Sequence, residues 1–530
     1  MKKRKLKLKE FSIHPIIMYL LITMGVIILS RILSLLQIQV SYNKINPSTL
    51  EMKSKLIPVK NLFNYYGIKF IISNAAKSFV GFTPLSNLLI SLIGISVAYA
   101  SGLIDAFTRR ITKKIDNKKL TFLIILIATM SSIINDVGYV LLIPISALIF
   151  SANKRSPLLG IITAFCGVAF GYGTTIFVGS SEVNLISDTV LSARLIDQNF
   201  HVSLTSNLII MIVSTILISI IGTFIIEKII APKFSNNKTL DLDTSTKEID
   251  IDEILKESEQ NKLETEIKEK KGLKKTLIVI IVFLLCFAYM LIPNLPFSGL
   301  LLDMNEKVYL KQIFGENSYF QDGFTFMISL MLVISGIVYG ITAKTLKSSK
   351  DLINKCNSYL SNVGSLVSLI FFASLFISVF KESNIGQVVI ALLTKLISQL
   401  SFSGIPLILL VMIVIGIANL FNTTPAGKWS IMAPVVVPLM MQSNISPQFS
   451  QFILRAADSM TKGITPLLAY FVIYVGYLNI YNNDKKIITI KKAISYILPY
   501  CLIITISWIL IIIGWYILGA PIGIGINPTL

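Results

Sequence analysis

The sequence predicts an all-α polytopic membrane protein made of inverted repeats, with about nine transmembrane helices and two re-entrant helical hairpins. Three observations carry that prediction. Of 530 residues, 54% are hydrophobic and only 14% charged, against about 25% charged in an ordinary soluble domain, which leaves too little polar surface to coat a body of this size in water. The apolar stretches approach or exceed the roughly 20 residues that a helix needs to cross ~30 Å of hydrocarbon. The third observation is the placing of the short basic connectors, which single crossings cannot reconcile.

Taken in order, residues 1–14 open with MKKRKLKLKE and precede an apolar run at 15–36. That run is long and has no small-residue cleavage site, so it reads as a retained first span behind a cytoplasmic N-terminus. Further apolar segments lie near 86–106, 120–150, 157–191, 204–226, 276–296, 323–343, 360–380, 405–441, 448–481 and 493–518, with a tail at 519–530. All read as helical by length and composition. The connectors RRITKKIDNKK (109–119), NKR (153–155), KTLKSSKDLINK (344–355) and NNDKKIITIKK (482–492) are basic and belong on the cytoplasmic face. Two of them flank 120–150, so that segment enters and leaves on one side.

Its composition fits a hairpin: an apolar arm, the polar tip SSIIND (131–136) and a second apolar arm. Each arm covers roughly 17 to 21 Å as helix, enough to reach the membrane middle but not to cross it. The same form recurs at 405–441 around NLFNTTPAGKW (419–429). Following the spans, the first hairpin opens to the cytoplasm and the second to the outside. After each comes an overlong segment interrupted by polar residues, GSSEVN (179–184) within 157–191 and DSMTKGITP (458–466) within 448–481, and then a plain apolar span. Hairpin, broken helix and span, repeated in opposite orientation, is the sequence form of an inverted-repeat secondary transporter. The halves, 15–227 and 276–518, are joined by a charged linker at 228–275, read as solvated and cytoplasmic with some helix. It holds 11 of the 28 acidic residues between Asp241 and Glu269.

The net charge of +20 sits in clusters between apolar segments, which sets orientation in a bilayer and excludes nucleic acid as a partner. His14, His201, Cys166, Cys286, Cys356 and Cys501 have no metal-ligand or redox spacing, so no cofactor is expected. The same scarcity of His and Cys argues against an intramembrane enzyme.

The carboxylates left among apolar residues are Asp136, Glu182, Asp188 and Asp458. Such groups cost at least ~2.5 to 3.5 kcal/mol at the bilayer centre and should face a cavity or a partner. Arg455 and Asp458 are three apart, on one helix face within pairing distance. They form either a structural ion pair or part of a cavity in which Arg455 offers a planar fork to an anion. The tips supply small oxygen donors: Ser131, Ser132 and Asn135 in the first, Asn419, Asn422, Thr423 and Thr424 in the second. These suit a sodium site on unwound backbone, or ordinary helix capping. Trp429 is a stacking wall for an aromatic ring or an interfacial anchor, and Lys428 reads as mobile and solvated in the same cavity. Glu182 is placed in the helix break and Asp188 nearer the outer water. The glycines of GVAFGYGTTIFVG (167–179) read as close helix packing and flexible backbone.

The stretch NLFNTTPAGKWSIMAPVVVPLMM (419–441) with SPQFSQFILRAADSMTKGITPLLAYF (446–471) resembles the signature of the AbgT family of p-aminobenzoyl-glutamate transporters. The segment 131–175 is similar to the corresponding part of its first half. The resemblance implies a homodimer in the bacterial inner (plasma) membrane, nine spans and two opposed hairpins, with functional positions at Asn419, Trp429, Pro447, Arg455, Asp458 and Pro466. Where the family usually has Asp-Pro, this chain has Glu182 and Val183. The function so implied is secondary active transport of p-aminobenzoyl-glutamate-like aromatic anions, or efflux of sulfonamide-type antimetabolites, coupled to sodium or protons. In that reading Arg455 and Trp429 hold the substrate, Glu182, Pro447 and Pro466 complete the site, and the tip oxygens with Asp458 handle the ion. A general di- or tricarboxylate symporter of the same architecture and a passive channel are the alternatives.

Overall fold

The structure, a computed structural model, describes residues 13–112, 115–134, 136–234, 251–315, 317–483 and 486–530. It is mostly helical. The first half comprises α1 (Pro15–Leu35), the antiparallel strands β1 (Gln39–Ile45) and β2 (Met52–Pro58), α2 (Tyr65–Val80), α3 (Thr83–Ala100), α4 (Leu103–Thr112), α5 (Asn117–Met130), α6 (Val137–Ala152), α7 (Pro157–Gly171), α8 (Ser180–Ala193) and α9 (Leu208–Ile225). The second comprises α10 (Ile251–Tyr289), α11 (Tyr309–Phe314), α12 (Tyr319–Thr342), α13 (Ser349–Leu360), α14 (Val363–Glu382), α15 (Ile385–Gln399), α16 (Gly404–Asn419), α17 (Pro425–Gln442), α18 (Pro447–Thr461), α19 (Phe471–Ile480) and α20 (Ile490–Leu518).

Among the described residues, eight helical stretches are long and apolar enough to cross a membrane, including Pro15–Leu35, Leu208–Phe234, Thr265–Tyr289 and Ile490–Leu518. Their outer faces carry apolar side chains that nothing in the chain covers: Met24, Phe224, Leu285 and Leu510 are each more than half exposed. In lipid that exposure is the expected state, since hydrocarbon solvates these groups. The centre is built differently. Every residue of α7 is buried, as is α18 from Pro447 to Met460. Helix α7 is apolar on all sides, which suits a helix enclosed on all sides. Helix α18 carries Gln448, Ser450, Gln451, Arg455, Asp458 and Ser459 into the same interior, so its polar stripe needs polar partners there.

The segment 120–150 folds as α5, a 3-10 turn at Ser131–Ile134 and α6, and 405–441 folds as α16 and α17 around a five-residue turn. Hairpin, two-part helix and long helix thus follow one another twice, as α5 to α9 and α16 to α20. The resemblance extends to the backbone. Each hairpin ends at a left-handed residue, Lys154 (φ 55°) or Asn444 (φ 58°), and Ser-Pro follows in both, with the proline as the first residue of α7 or α18. Proline suits that position because its missing N–H has no helical partner to lose. The basic connector at the foot of the first hairpin is anchored. Arg155 pairs with Glu227 at 2.7 Å, donates to Thr121 Oγ1 at 3.0 Å and lies 4.4 Å over the Phe150 ring.

Several boundaries differ from the sequence reading. The second span begins far upstream of 86, because α2 and α3 form one apolar stretch, Tyr65–Ala100; Lys69, Asn74 and Lys77 dilute its first part. The span expected at 276–296 is the end of the 39-residue α10 and stops at Tyr289. Part of the linker, 251–275, is therefore continuous with a span, while 235–250 lies outside the described residues. The first helix break falls at 172–179 rather than 179–184. The polar residues Ser180 and Glu182 belong to the start of α8: Gly179 N donates to Glu182 Oε2 at 3.1 Å, the reach-back half of a capping box. The tail at 519–530 is packed, with Ile522 O accepting from Ile209 N and Pro528 O from Ser446 N.

Candidate functional site

Both interruptions arise where the chain meets another backbone. At the first, Gly173 N donates to Ser459 Oγ at 2.5 Å, and a Cβ on Gly173 would lie 2.6 Å from the Arg455 carbonyl oxygen. Only glycine allows that approach, and the chain unwinds beyond it. The freed groups find side chains: Tyr172 O accepts from Arg455 Nη2 at 3.5 Å, and Thr174 O from Ser132 Oγ at 3.4 Å. At the second, which follows a 3-10 turn at Lys462–Ile464, Thr465 Oγ1 donates to Leu420 O at 2.9 Å. Thr461 Oγ1 donates to Gly416 O at 2.7 Å, and Asn419 Nδ2 to Asp458 O at 2.8 Å. The tip of the second hairpin is stitched to the second broken helix in this way, as irregular backbone inside a bilayer requires.

Three cation and carboxylate couples occupy the space between. Arg455 pairs with Glu182 and also directs Nη1 to Met211 Sδ at 3.1 Å. Lys428 Nζ lies 2.5 Å from Asp458 Oδ1 and 2.7 Å from Asn419 Oδ1. Lys462 Nζ lies 3.7 Å from Asp136 Oδ1 and 3.1 Å from the Tyr172 ring centroid. The first two couples are fully enclosed, and only Asp136 of the six is substantially open, at 33% side-chain exposure. Burial of this kind is sustained when each charge has a partner. Asp458 Oδ2 and Arg455 Nε nonetheless have no hydrogen-bond partner.

A cavity of about 460 Å³ lies against these couples and between the two hairpin tips, within the 300–1,000 Å³ range of small-molecule sites. Asp136 and Asn184 line it from the first half, Asn422, Thr423, Thr424 and Lys462 from the second, with Tyr172, Phe421 and Tyr470 as aromatic wall and Lys381 at the end of α14. It can receive an anion at its lysines, an aromatic ring on its walls, and hydrogen-bonding groups at the tips.

The expected site residues divide into three groups. Asn422, Thr423 and Thr424 line the cavity. Asn419, Arg455, Asp458, Glu182 and Trp429 stand behind its wall, all buried. Trp429 Nε1 donates to Thr189 Oγ1 at 2.8 Å, and Thr189 in turn donates to Gln451 Oε1 at 2.7 Å, so the indole fastens α17 to α8. Pro447 opens α18, away from the tips, and Pro466 lies in the second break. Ser132 is buried and donates to Thr129 O at 2.9 Å; Asn135 lies outside the described residues. Two expectations are corrected. Arg455 and Asp458 neither pair with each other nor line the cavity; they pair with Glu182 and Lys428. Lys428 is not solvated but wholly enclosed, because the carboxylate and amide oxygens that hold it come from α16 and α18. Lys462, Tyr172 and Phe421 were given no role by the sequence reading. The signal for Lys462 is there, a lysine inside the polar interruption DSMTKGITP of an otherwise apolar segment.

Among the described residues no group of three His, Cys, Asp or Glu is placed to hold a metal ion. The model of the AbgT putative transporter family matches residues 9–530. The chain is 27% identical over 520 residues to the p-aminobenzoyl-glutamate transport protein of Escherichia coli (strain K12), covering 98% of this chain and 94% of that one. Among solved structures it is similar to the YdaH transporter of Alcanivorax borkumensis (26% identity, 96% of this chain and 100% of that one, TM-score 0.47). It is also similar to MtrF of Neisseria gonorrhoeae, whose structure is described as illuminating a class of antimetabolite efflux pumps (28% identity, 98% of each chain, TM-score 0.48).

Proposed function

This chain belongs to the AbgT putative transporter family, and on that premise we propose that it is a secondary active transporter of aromatic carboxylates of the p-aminobenzoyl-glutamate kind, or of antimetabolites that resemble them. The observation that carries the reading is the cavity between the hairpin tips, with lysines at its edge and Tyr172, Phe421 and Tyr470 in its wall. A dicarboxylate alone would have little use for the rings. Substrate contact falls to Lys462 and to Asn422, Thr423 and Thr424, while Arg455, Glu182, Asn419, Asp458 and Trp429 hold the broken helices and the second hairpin in register behind them. An anion would reach Arg455 only by displacing Glu182.

The repeated order of hairpin, broken helix and span supports alternating access about this cavity, with the hairpins entering from opposite faces and the N-terminus in the cytoplasm. Coupling to a sodium or proton gradient and assembly as a homodimer complete the proposal. The test is flux of radiolabelled p-aminobenzoyl-glutamate in proteoliposomes under separately imposed sodium and proton gradients. Gradient-driven accumulation is expected, and Lys462→Gln should weaken substrate binding by about 1.5 to 3 kcal/mol, the worth of a charge-assisted hydrogen bond. Accumulation of succinate in place of the aromatic compound would favour the dicarboxylate carrier, and flux indifferent to both gradients a channel.

A further inference from the structure

We propose that a second cavity, at the far end of the wall formed by α14 and α19, is a binding site for the ring of a benzoate-type aromatic carboxylate. It holds about 270 Å³ and lies between α3, the end of α13, the start of α14 and the end of α19. The cavity between the hairpin tips touches the same wall at its other end, through Ile377 and Phe380 of α14 and Tyr470 just before α19. Leu366, in the second cavity, and Ile377, in the first, stand roughly 16 Å apart along the helix, so the two spaces are distinct. The second opens where α13 and the connector 482–492 meet, the side that the basic connectors assign to the cytoplasm.

Its walls change with depth. At the floor are Leu92, Leu366 and Tyr477, all buried, and Leu366 is lodged against Gly476, where a Cβ would meet it at 2.1 Å. Above them stand Tyr99, Tyr359 and Tyr481, half-buried, the first two with ring centroids 5.1 Å apart. Asn362 and Asn483 form an exposed polar rim. Tyrosines near a bilayer surface ordinarily anchor a protein among lipid headgroups. These four line one enclosed space instead, and the deepest, Tyr477, has a buried hydroxyl with no hydrogen-bond partner among the described residues. Such a group carries a desolvation cost that a ligand reaching it would relieve.

Three features select the ligand. Aromatic walls suit a flat ring. Among the described residues no charged side chain lines the space, and its volume is below the 300–1,000 Å³ of sites that enclose a drug-sized molecule, so it takes a ring and leaves the remainder at the mouth. An aromatic box also suits an organic cation, but the connectors 344–355 and 482–492 carry eight lysines against two aspartates, and a field of that sign draws anions and repels cations. The ring therefore enters with a hydrogen-bonding substituent toward Tyr477 and its carboxylate toward the basic mouth.

The role of this site, a station for cargo on the cytoplasmic side, rests on the transport reading, but its test reads binding without flux, so the two can fail separately. The full chain in detergent would be photolabelled with p-azidobenzoate and the labelled peptides mapped by mass spectrometry. Label is expected within residues 358–366 or 477–483, displaced by p-aminobenzoate but not by cyclohexanecarboxylate or tetramethylammonium. Tyr477→Phe should raise the p-aminobenzoate concentration for half-displacement about two- to tenfold, the worth of one hydrogen bond, without lowering the melting temperature, since the hydroxyl it removes has no partner. Asn362→Trp, at the exposed rim, should cut labelling at this site while label on Phe421 or Tyr470 persists. The proposal is overturned if label falls only in the cavity between the hairpin tips, or if p-aminobenzoate fails to displace it. It is also overturned if cyclohexanecarboxylate or tetramethylammonium displaces the label as well as p-aminobenzoate does, or if Tyr477→Phe and Asn362→Trp both leave labelling and displacement unchanged.

Discussion

In the first half of the core, the hairpin and broken helix bring in two carboxylates, Asp136 in the wall of the cavity and Glu182 behind it. In the second half the equivalent elements bring three cations, Lys428, Arg455 and Lys462, and a single carboxylate, Asp458. Two pieces of chain with the same order of elements, down to a left-handed residue and Ser-Pro before each broken helix, thus carry opposite charge. Taken alone, each half would bury ions without partners. Joined, two of the three couples, Glu182 with Arg455 and Asp136 with Lys462, run from one half to the other, while Lys428 and Asp458 close within the second. The shared architecture sets where the breaks fall; the opposed charge is what ties the halves to each other.

The sharpest way to break that picture is at the enclosed couple between halves. Arg455→Met should destabilise the protein by about 3 to 5 kcal/mol, because it leaves Glu182 buried and alone, and Glu182→Met in the same chain should recover most of the loss. Melting in detergent and the amount reaching the membrane would both report it, and a double variant as unstable as the single would show that charge is not what joins the halves.

The backbone contacts should weigh less. Gly173→Ala would push a methyl against the Arg455 carbonyl, and Gly463→Ala one to within 2.7 Å of the Phe170 ring. Each is expected to cost about 1 to 3 kcal/mol of overpacking, measurable as a lowered melting temperature, and equal costs would say that both breaks are held equally tightly. Smaller still is Trp429→Phe, which removes the indole hydrogen bond to Thr189 and should cost about 1 kcal/mol without altering calorimetric affinity for an aromatic substrate. Phe421→Ala, in the cavity wall, should do the reverse, weakening that affinity by about 0.5 to 1.5 kcal/mol beyond the lost area. The smallest stability effect belongs to Asp136→Asn, at the most open of the couples, within about 1 kcal/mol; affinity for an anion should rise there, since Lys462 loses its competitor.

How much of this was legible in the sequence depends on the range of the forces involved. The turns at 131–136 and 420–424 were, because the polar residues of SSIIND and NLFNTTPAGKW fall where one short apolar helix gives way to the next. The breaks were placed one element late in the first half, where the apolar GYGTTIFVG looks helical and the polar GSSEVN looks unwound; the polarity belongs to the start of α8, and the unwinding to Gly173 meeting Arg455. The partner of Arg455 escapes the sequence for a related reason. Counting along a helix finds Asp458 three residues on, but Glu182 is brought there only by the packing of α8 and α18. The strands β1 and β2 went unforeseen because Gln39–Ile45 and Met52–Pro58 are too polar and short to register beside the spans, and α15 because its 15 residues fall below a crossing.

The closure of charge has an electrical side. Carrying one elementary charge through the membrane potential involves about 2.3 kcal/mol per 100 mV, so a moving core studded with unpaired ions would be dragged or stalled by voltage. Six ionised side chains at the hairpin tips and broken helices here make three neutral couples. A core that rocks with its couples intact does no net work against the field, and the current recorded across a membrane should count only the charge of what is carried.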